Sequence, residues 1–565
     1  MVGSALSRYW TINVPAKTMA EEVAEAHLFL WPLRNDTFAV ASCLRFSRWH
    51  LFLAVLLTQF ITGSIYSLVS LSQPLDAFFQ GNLYAGKSTA LLMTGSASMA
   101  VAAALSGPAL ERRGPRWSMT MGTCILALGL LLGQGATMTR TWALMFPAGV
   151  CYGVGVGYLL ITSFSTLQKW FPDLRGTVNG IVLMAFGSGG GVWNLFFRAL
   201  VGPGASRADN MPHVFAYLLL VFVPPLMLCT LLMRTPPASF RVSGHDMHGI
   251  ATEKAPSASF VQDEYLKVGM TLVNYAALQH PPQNAAVEGT ERHYYEQVKA
   301  LTLLQCIFST DFLCLFLAAT ALNMPASVYF ELATTNTNGD FKSMAWFGVA
   351  KRDIDNVISV GLLSSSVGRL VCPMFSDVLI RVFYANPAFA RKVVLLLLVL
   401  VDAVGLALLV PRLEGDYDTL VQVTYVLKFV SGGGASMTAC LVTDMYGVYN
   451  VGTMYGLVSL SWAVGIASVG LTFSGSGAAF MSQMHSMVVV SFVAVALTCL
   501  VRTNSLDRFF HGYQFTLCRK PIVQIPFASQ GQKHYAIGGD TAPHGSTFFH
   551  WDSDHDIDLD HEPDA

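Results

Sequence analysis

Charge is scarce in this chain of 565 residues: only 12% are Asp, Glu, Lys or Arg, about half the roughly 25% usual in soluble domains. The two signs nearly cancel, 34 basic against 35 acidic residues, for a formal net charge of −1. No concentrated basic surface exists to hold a polyanion, which excludes nucleic acid as a partner. A cleavable leader is also missing, because Glu21, Glu22 and Glu25 stand where its apolar core would have to be, so the first apolar run is expected to insert the chain itself. Ten cysteines occur, yet Cys124, Cys151, Cys229, Cys306, Cys314, Cys372, Cys440 and Cys499 lie in apolar runs and Cys43 and Cys518 in the tails. None falls in a loop assigned to the outside, so no disulfide framework is expected. No metal-ligand pair at helical spacing and no nucleophile elbow is found, which argues against an enzyme and leaves no cofactor to expect.

What is abundant is apolar sequence, 53% of residues with a mean hydropathy of +0.49. It is arranged as about twelve runs of membrane length, since a hydrocarbon core of roughly 30 Å needs ~20 apolar residues per helix. The runs place helices at 49–70, 88–109, 117–137, 141–164, 176–199 and 214–233, then at 301–323, 354–375, 391–411, 419–441, 452–474 and 484–502. The expected organisation is an N-terminal tail (1–48), a six-helix bundle (49–233), a central loop (234–300), a second six-helix bundle (301–502) and an acidic C-terminal tail (503–565). This is an all-α membrane protein of two bundles. Arg34, Arg45 and Arg48 before span 1, Arg234 and Arg241 after span 6, Arg292 and Lys299 before span 7, and Arg502, Arg508, Arg519 and Lys520 after span 12 share one side. Basic flanks mark the cytoplasm, so both tails and the central loop are expected there. Pro236, Pro237, Pro256, Pro281 and Pro282 make that loop read as a linker.

The halves echo each other. Gly176-Thr-Val-Asn-Gly180 opens span 5 and Gly452-Thr-Met-Tyr-Gly456 opens span 11; Gly95 and Ser98 match Gly361 and Ser364; Glu111 after span 2 matches Asp377 after span 8. Duplicated six-helix units are common among transporters, with the substrate at the interface near the midplane. Between spans 2 and 3, Gly107-Pro-Ala-Leu-Glu111-Arg112-Arg113-Gly114-Pro-Arg116 combines a glycine for close helix approach, a glycine for a tight turn and charges able to lock helix ends.

Gly107, Glu111, Arg112, Gly114 and Arg116 resemble the signature loop of the major facilitator superfamily, G-x-x-x-D-R-x-G-x-R, with Glu111 in place of Asp; Ser376, Asp377 and Arg381 keep a degenerate second copy. Gly63-Ser-Ile-Tyr66-Ser67, the string Lys169-Trp-Phe-Pro-Asp-Leu-Arg175-Gly176, and Gly368-Arg369-Leu370 resemble the nodulin-like, oxalate–formate-antiporter-like branch, related to monocarboxylate transporters. The resemblance implies the major facilitator fold, with spans 1, 4, 7 and 10 lining a cavity, and cargo from among small organic anions. It also places a substrate arginine in span 8.

Ionisable groups inside the apolar runs carry the functional argument: Asp311, Arg369, Asp402 and Lys428. Each costs roughly 2.5–3.5 kcal/mol on insertion scales, which makes a pore-facing or paired role the default. Arg369 as a bidentate fork and Lys428 as a point charge are the candidates for holding a carboxylate, with Tyr66 beside them and Gln59, Tyr152 and Trp462 as further wall residues. Asp311 suits proton coupling, because burial raises a carboxylate pKa and a nearby cation lowers it; pairing of Asp311 with Lys428 is the structural alternative. Gly153, Gly155, Gly157, Gly187, Gly189, Gly190, Gly191, Gly432, Gly433 and Gly434 suit close helix packing.

Two matches are rejected. Gly81-Asn-Leu-Tyr-Ala-Gly86-Lys87-Ser88 fits the phosphate-loop pattern but follows a membrane helix instead of a strand. Asp552, Asp554, Asp556, Asp558 and Asp560 with His555 and His561 read as an unstructured acidic tail rather than a metal site. The Asn35-Asp-Thr37 sequon lies on the expected cytoplasmic side and should stay unglycosylated. The resulting expectation is a monomeric, alternating-access secondary transporter of the plasma membrane, an organelle membrane being the alternative, moving a monocarboxylate such as pyruvate or lactate with protons or by exchange. An amino acid or other small polar metabolite is the competing cargo. A non-transporting sensor of the same fold is the competing class.

Overall fold

The computed structural model describes residues 9–12, 14–15, 17–32, 38–82, 87–201, 211–237, 239–250, 291–334, 351–383, 385–413, 416–472, 477–510, 512–517 and 520–526. Six long helices form the first half: α1 Arg48–Thr62, α2 Lys87–Arg113, α3 Pro115–Thr139, α4 Met145–Trp170, α5 Arg175–Val201 and α6 Met211–Leu232. The second half has α7 Thr310–Thr334, α8 Lys351–Val382, α9 Pro387–Leu409, α10 Tyr417–Tyr446, α11 Val451–Thr472 and α12 Gly477–Leu500. Ten stretches of these are long and apolar enough to cross a membrane. The other two helices, α2 and α7, take the second and seventh places. In α2 the reason is composition: it is rich in Ala, Ser, Gly and Thr, which suits packing rather than lipid. The oxygen of Gly95 and the hydroxyl of Ser98 fill the place a Cβ on Gly153 of α4 would take, so the two backbones touch. Of α7, the apolar stretch Thr310–Ala326 lies among the residues whose side chains are described, and it is shorter than a span.

Local signals fix the ends. Ser47 and His50 form a capping box at the start of α1. Gly114, at φ +83°, turns the chain from α2 into α3 with Pro115 at the first helical position, and Gly447, at φ +80°, ends α10. The seventh helix departs from its expected bounds. Thr302 caps a separate short helix, Leu303–Ile307, and α7 begins only at Thr310.

Leu53, Leu57, Leu131, Leu195, Leu220, Leu363, Leu408 and Val489 are all exposed, an apolar outer surface far beyond what a monomer shows to water. One buried cluster belongs to the first half and includes Leu51, Val156, Phe197 and Phe222. A second joins the halves, combining Leu110, Ile161, Phe164 and Leu183 with Leu315, Met437, Tyr446 and Met454. The helix ends on the side of Arg48, Arg113, Arg175, Val382 and Tyr446 carry most buried charge and form the charged face. Two antiparallel hairpins not anticipated from the sequence lie in the tails: β1 His27–Pro32 with β2 Phe38–Arg45, and β3 Gly512–Leu517 with β4 Lys520–Pro526. Arg234 ties the first to the bundle, donating to the carbonyl oxygens of Glu25 at 2.6 Å, His27 at 2.8 Å and Leu28 at 2.8 Å.

Candidate functional site

Arg369 sits in α8 between the halves, 7% exposed. Its Nη1 donates to the Leu183 carbonyl of α5 at 3.2 Å. The guanidinium carbon lies 5.6 Å from the Phe186 ring centre and 6.0 Å from that of Tyr66, while its Nε is buried without an acceptor. Gly187 makes room for it: a Cβ there would lie 3.2 Å from Nη1 and from Ser366 Oγ. Tyr66 packs edge-on against Phe186 at 5.2 Å and, across the halves, against Trp462 at 5.3 Å. Lys428 of α10 lies in electrostatic reach of Arg369, its stem beside Gly361. Among the described residues neither cation has a carboxylate in salt-bridge range. On the first-half side, Ser64 and Tyr152 share a hydroxyl hydrogen bond at 2.5 Å and Gln59 donates to Ser163 Oγ at 2.5 Å. Thus Arg369 and Tyr66 come together in an aromatic and hydroxyl-bearing setting, with the half-buried Lys428 in electrostatic reach of Arg369.

Asp311 does not join them. It occupies the first turn of α7, and its carboxylate accepts from Arg502 Nε at 3.0 Å, Arg502 Nη2 at 2.9 Å and the Arg502 amide at 2.9 Å. The alternative pairing with Lys428 is therefore replaced by one with Arg502, because α7 starts later than its apolar run suggested. Asp402 is also distant in kind: 1% exposed, it accepts from Ser491 of α12 at 2.7 Å.

The charged face is closed by a network bridging the halves. Arg175 pairs with Asp444 at 2.9 Å. Arg391 pairs with Asp377 at 2.6 Å and Asp444 at 3.3 Å, and also donates to Ser376 Oγ. Asp377 in turn accepts from the Gly176 and Thr177 amides, at 3.2 and 2.6 Å, and from Thr177 Oγ1 at 2.7 Å. Behind it Asn179 Nδ2 reaches the Ser436 carbonyl and Cys440 Sγ, both at 3.1 Å.

The signature loop divides its labour differently from its charges' promise. Glu111 stays within its own half, pairing with Lys169 at 2.6 Å and accepting from Ser165 at 3.0 Å. Arg112 donates to the carbonyls of Tyr9 and Thr11 in the N-terminal segment, and Arg116 lies 3.8 Å from Glu25. Gly107 supplies the contact across the halves: a Cβ there would overlap the Thr453 hydroxyl and come within 2.5 Å of the Thr453 nitrogen. Gly107→Ala is therefore expected to destabilise the fold by about 1–3 kcal/mol through overpacking, seen as a lower thermal midpoint in detergent. Gly135→Ala, with nothing within 4 Å of a Cβ in the interior of α3, should not lower it and should raise it slightly, because Ala is the better helix former.

Sequence reasoning passed over Asp444 and Arg391 and read Arg175 only as part of a motif string. A signal was available in Asp444, an acidic residue one turn before Gly447 inside an otherwise uncharged run. The phosphate-loop look-alike dissolves: Ser88 gives both its amide, at 3.0 Å, and its hydroxyl, at 2.7 Å, to Asp76, while 83–86 lie outside the described residues. So do the sequon at 35–37, most of the central loop at 251–290 and the acidic tail at 527–565.

The model of the Major Facilitator Superfamily matches residues 49–467. The chain is similar to the uncharacterized MFS-type transporter YhjX of Escherichia coli, 23% identical over 435 residues, 74% of this chain and 86% of that protein. Shorter segments resemble the oxalate:formate antiporter of Oxalobacter formigenes (32% over 149 residues, 25% of this chain) and apicoplast pyruvate carrier 1 of Toxoplasma gondii (25% over 118 residues, 21% of this chain). The chain spans 33% and 21% of the lengths of those two proteins. Among solved structures, the proton:xylose symporter XylE shares the fold with a TM-score of 0.54 at 15% identity, covering 80% of this chain and 94% of that one.

Proposed function

Because the chain belongs to the major facilitator superfamily, and is thus an integral multi-pass membrane protein of transporter kind, we propose that it carries a small organic anion by alternating access. The observation that carries this reading is Arg369, buried between the halves, with the half-buried Lys428 of α10 in its electrostatic reach and no carboxylate to neutralise either among the described residues. Isolated charge in such surroundings is costly, and a carboxylate guest would relieve it. Arg369 would hold the carboxylate in its fork, Lys428 would add charge, and Tyr66 with Phe186 would wall the guest. The likenesses to an oxalate:formate antiporter and a pyruvate carrier support carboxylate cargo, with pyruvate or lactate as the first to try. The charged face would be cytoplasmic, with both tails, in the plasma membrane. Exchange fits better than proton coupling through Asp311, which Arg502 holds on three bonds.

The test is uptake into proteoliposomes across labelled mono- and dicarboxylates, amino acids and sugars. Accumulation of a carboxylate, competed by other carboxylates alone, is the expected result. Uptake confined to a zwitterionic amino acid or a sugar would overturn the reading.

A further inference from the structure

The central loop begins with an ordered element that the transport site does not use. Phe240 packs on Trp170 at 4.8 Å, and Trp170 Nε1 donates to the Arg234 carbonyl at 2.7 Å; the segment is thereby tied to the first half. Its tip folds on itself. Asp246 Oδ1 accepts from the His248 and Ile250 amides, each at 2.9 Å, and Gly249 adopts φ +89°, facing Arg175 and Tyr295. From this turn the Met247 carbonyl accepts from Arg175 Nη2 at 3.1 Å. The His248 ring meets Tyr449, in the α10–α11 connection of the second half, edge-on at 5.1 Å. Ile250 enters the buried cluster that joins the halves. The tip therefore touches both halves beside the Arg175–Asp444 pair, and it must let go of Tyr449 when this face opens.

We propose that Asp246–Ile250 is a latch holding the charged face shut, and that protonation of His248 releases it. The groups facing His248 are Asp246 on its own loop, Lys299 at the end of helix Glu291–Lys299, Arg175 of α5 and Lys169 of α4, together with the Tyr449 ring. Lys169 is paired with Glu111 and Arg175 with Asp444, so burial in a place only 7% exposed is the main reason an imidazolium is disfavoured there. Burial first, then those cations, push the His248 pKa down from 6.5 to about 4, with Asp246 opposing. A base with a lowered pKa in the latched state binds its proton in the released state. Latching is thus complete above about 6.5 and weakens as pH falls from there toward about 4. Between pH 7.5 and 5.5 linkage favours release by about tenfold.

The inference rests on the two halves parting at this face and is independent of cargo. Hydroxyl-radical footprinting of the full chain in proteoliposomes, read by mass spectrometry at Tyr449 and Cys440, needs no substrate. Oxidation at Cys440, fully buried in the latched state, should rise about tenfold on going from pH 7.5 to 5.5, and that at the half-buried Tyr449 should rise with it by less. In His248→Phe and His248→Gln, both neutral throughout, it should not change with pH. Gly249→Val, unable to hold the positive φ, should show raised oxidation already at pH 7.5. A pH-independent wild type, or an equal rise in either His248 variant, overturns the proposal whatever the uptake experiments find.

Discussion

Arg391→Ala should produce the largest structural effect of any single change at the charged face. The guanidinium, 2% exposed, is shared by Asp377 and Asp444 and also serves Ser376. Its loss leaves buried carboxylates short of a counter-charge, a situation that costs about 3–5 kcal/mol. That cost applies to the closed arrangement, since opening admits water to the acids. At about 1.4 kcal/mol per factor of ten, the closed form should lose ~100-fold or more in relative population. Footprinting at Cys440, which is fully buried behind the network, reads this directly. Asp444→Asn should act in the same direction. Unchanged protection of Cys440 in both Arg391→Ala and Asp444→Asn would show that the ion pairs do not hold the face closed.

Arg369→Ala carries the largest expected effect on uptake. Within the protein the side chain donates to the Leu183 carbonyl and reaches Tyr66, with no ion pair among the described residues, so its removal should cost the thermal midpoint far less than it costs uptake. A carboxylate guest would lose a two-pronged charge-assisted contact, at about 1.5–3 kcal/mol per bond. Carboxylate uptake should therefore fall by ~100-fold or more. Arg369→Lys should recover only part, because an ammonium is a point charge without the planar fork. Lys428→Ala should lower uptake less, by about tenfold, a single charge-assisted contact. Undiminished uptake in a well-folded Arg369→Ala would remove the anion site.

The helical body was legible because hydropathy reports burial in lipid directly, and the repeat placed the two glycine-led helices α5 and α11 correctly. Apolarity alone could not show that Phe308 and Ser309 interrupt the chain before α7. Asp311 consequently looked like a mid-membrane acid when it is an end-of-helix partner of Arg502. Arg369 and Lys428 stood out because a cation in an apolar run has few explanations, and the structure leaves both without a carboxylate in salt-bridge range among the described residues. Arg391 and Asp444 did not stand out, because their meaning lies in a pairing across 53 residues of sequence. The charges of the signature loop were expected to lock helix ends; Glu111 does so within its own half, through Lys169, while its repeat mate Asp377 accepts across the halves from Gly176 and Thr177.

The edge contact between Tyr66 and Trp462 crosses the two bundles at the level of Arg369. A ring can swing aside on a side-chain torsion, whereas the glycine-lined helix crossings at Gly107 and Gly456 can yield only by moving whole backbones. On the proposed anion site, selection by size and selection by charge would therefore be vested in different atoms. Trimming one of these aromatics would then widen the proposed site while leaving the ion pairs of the charged face intact.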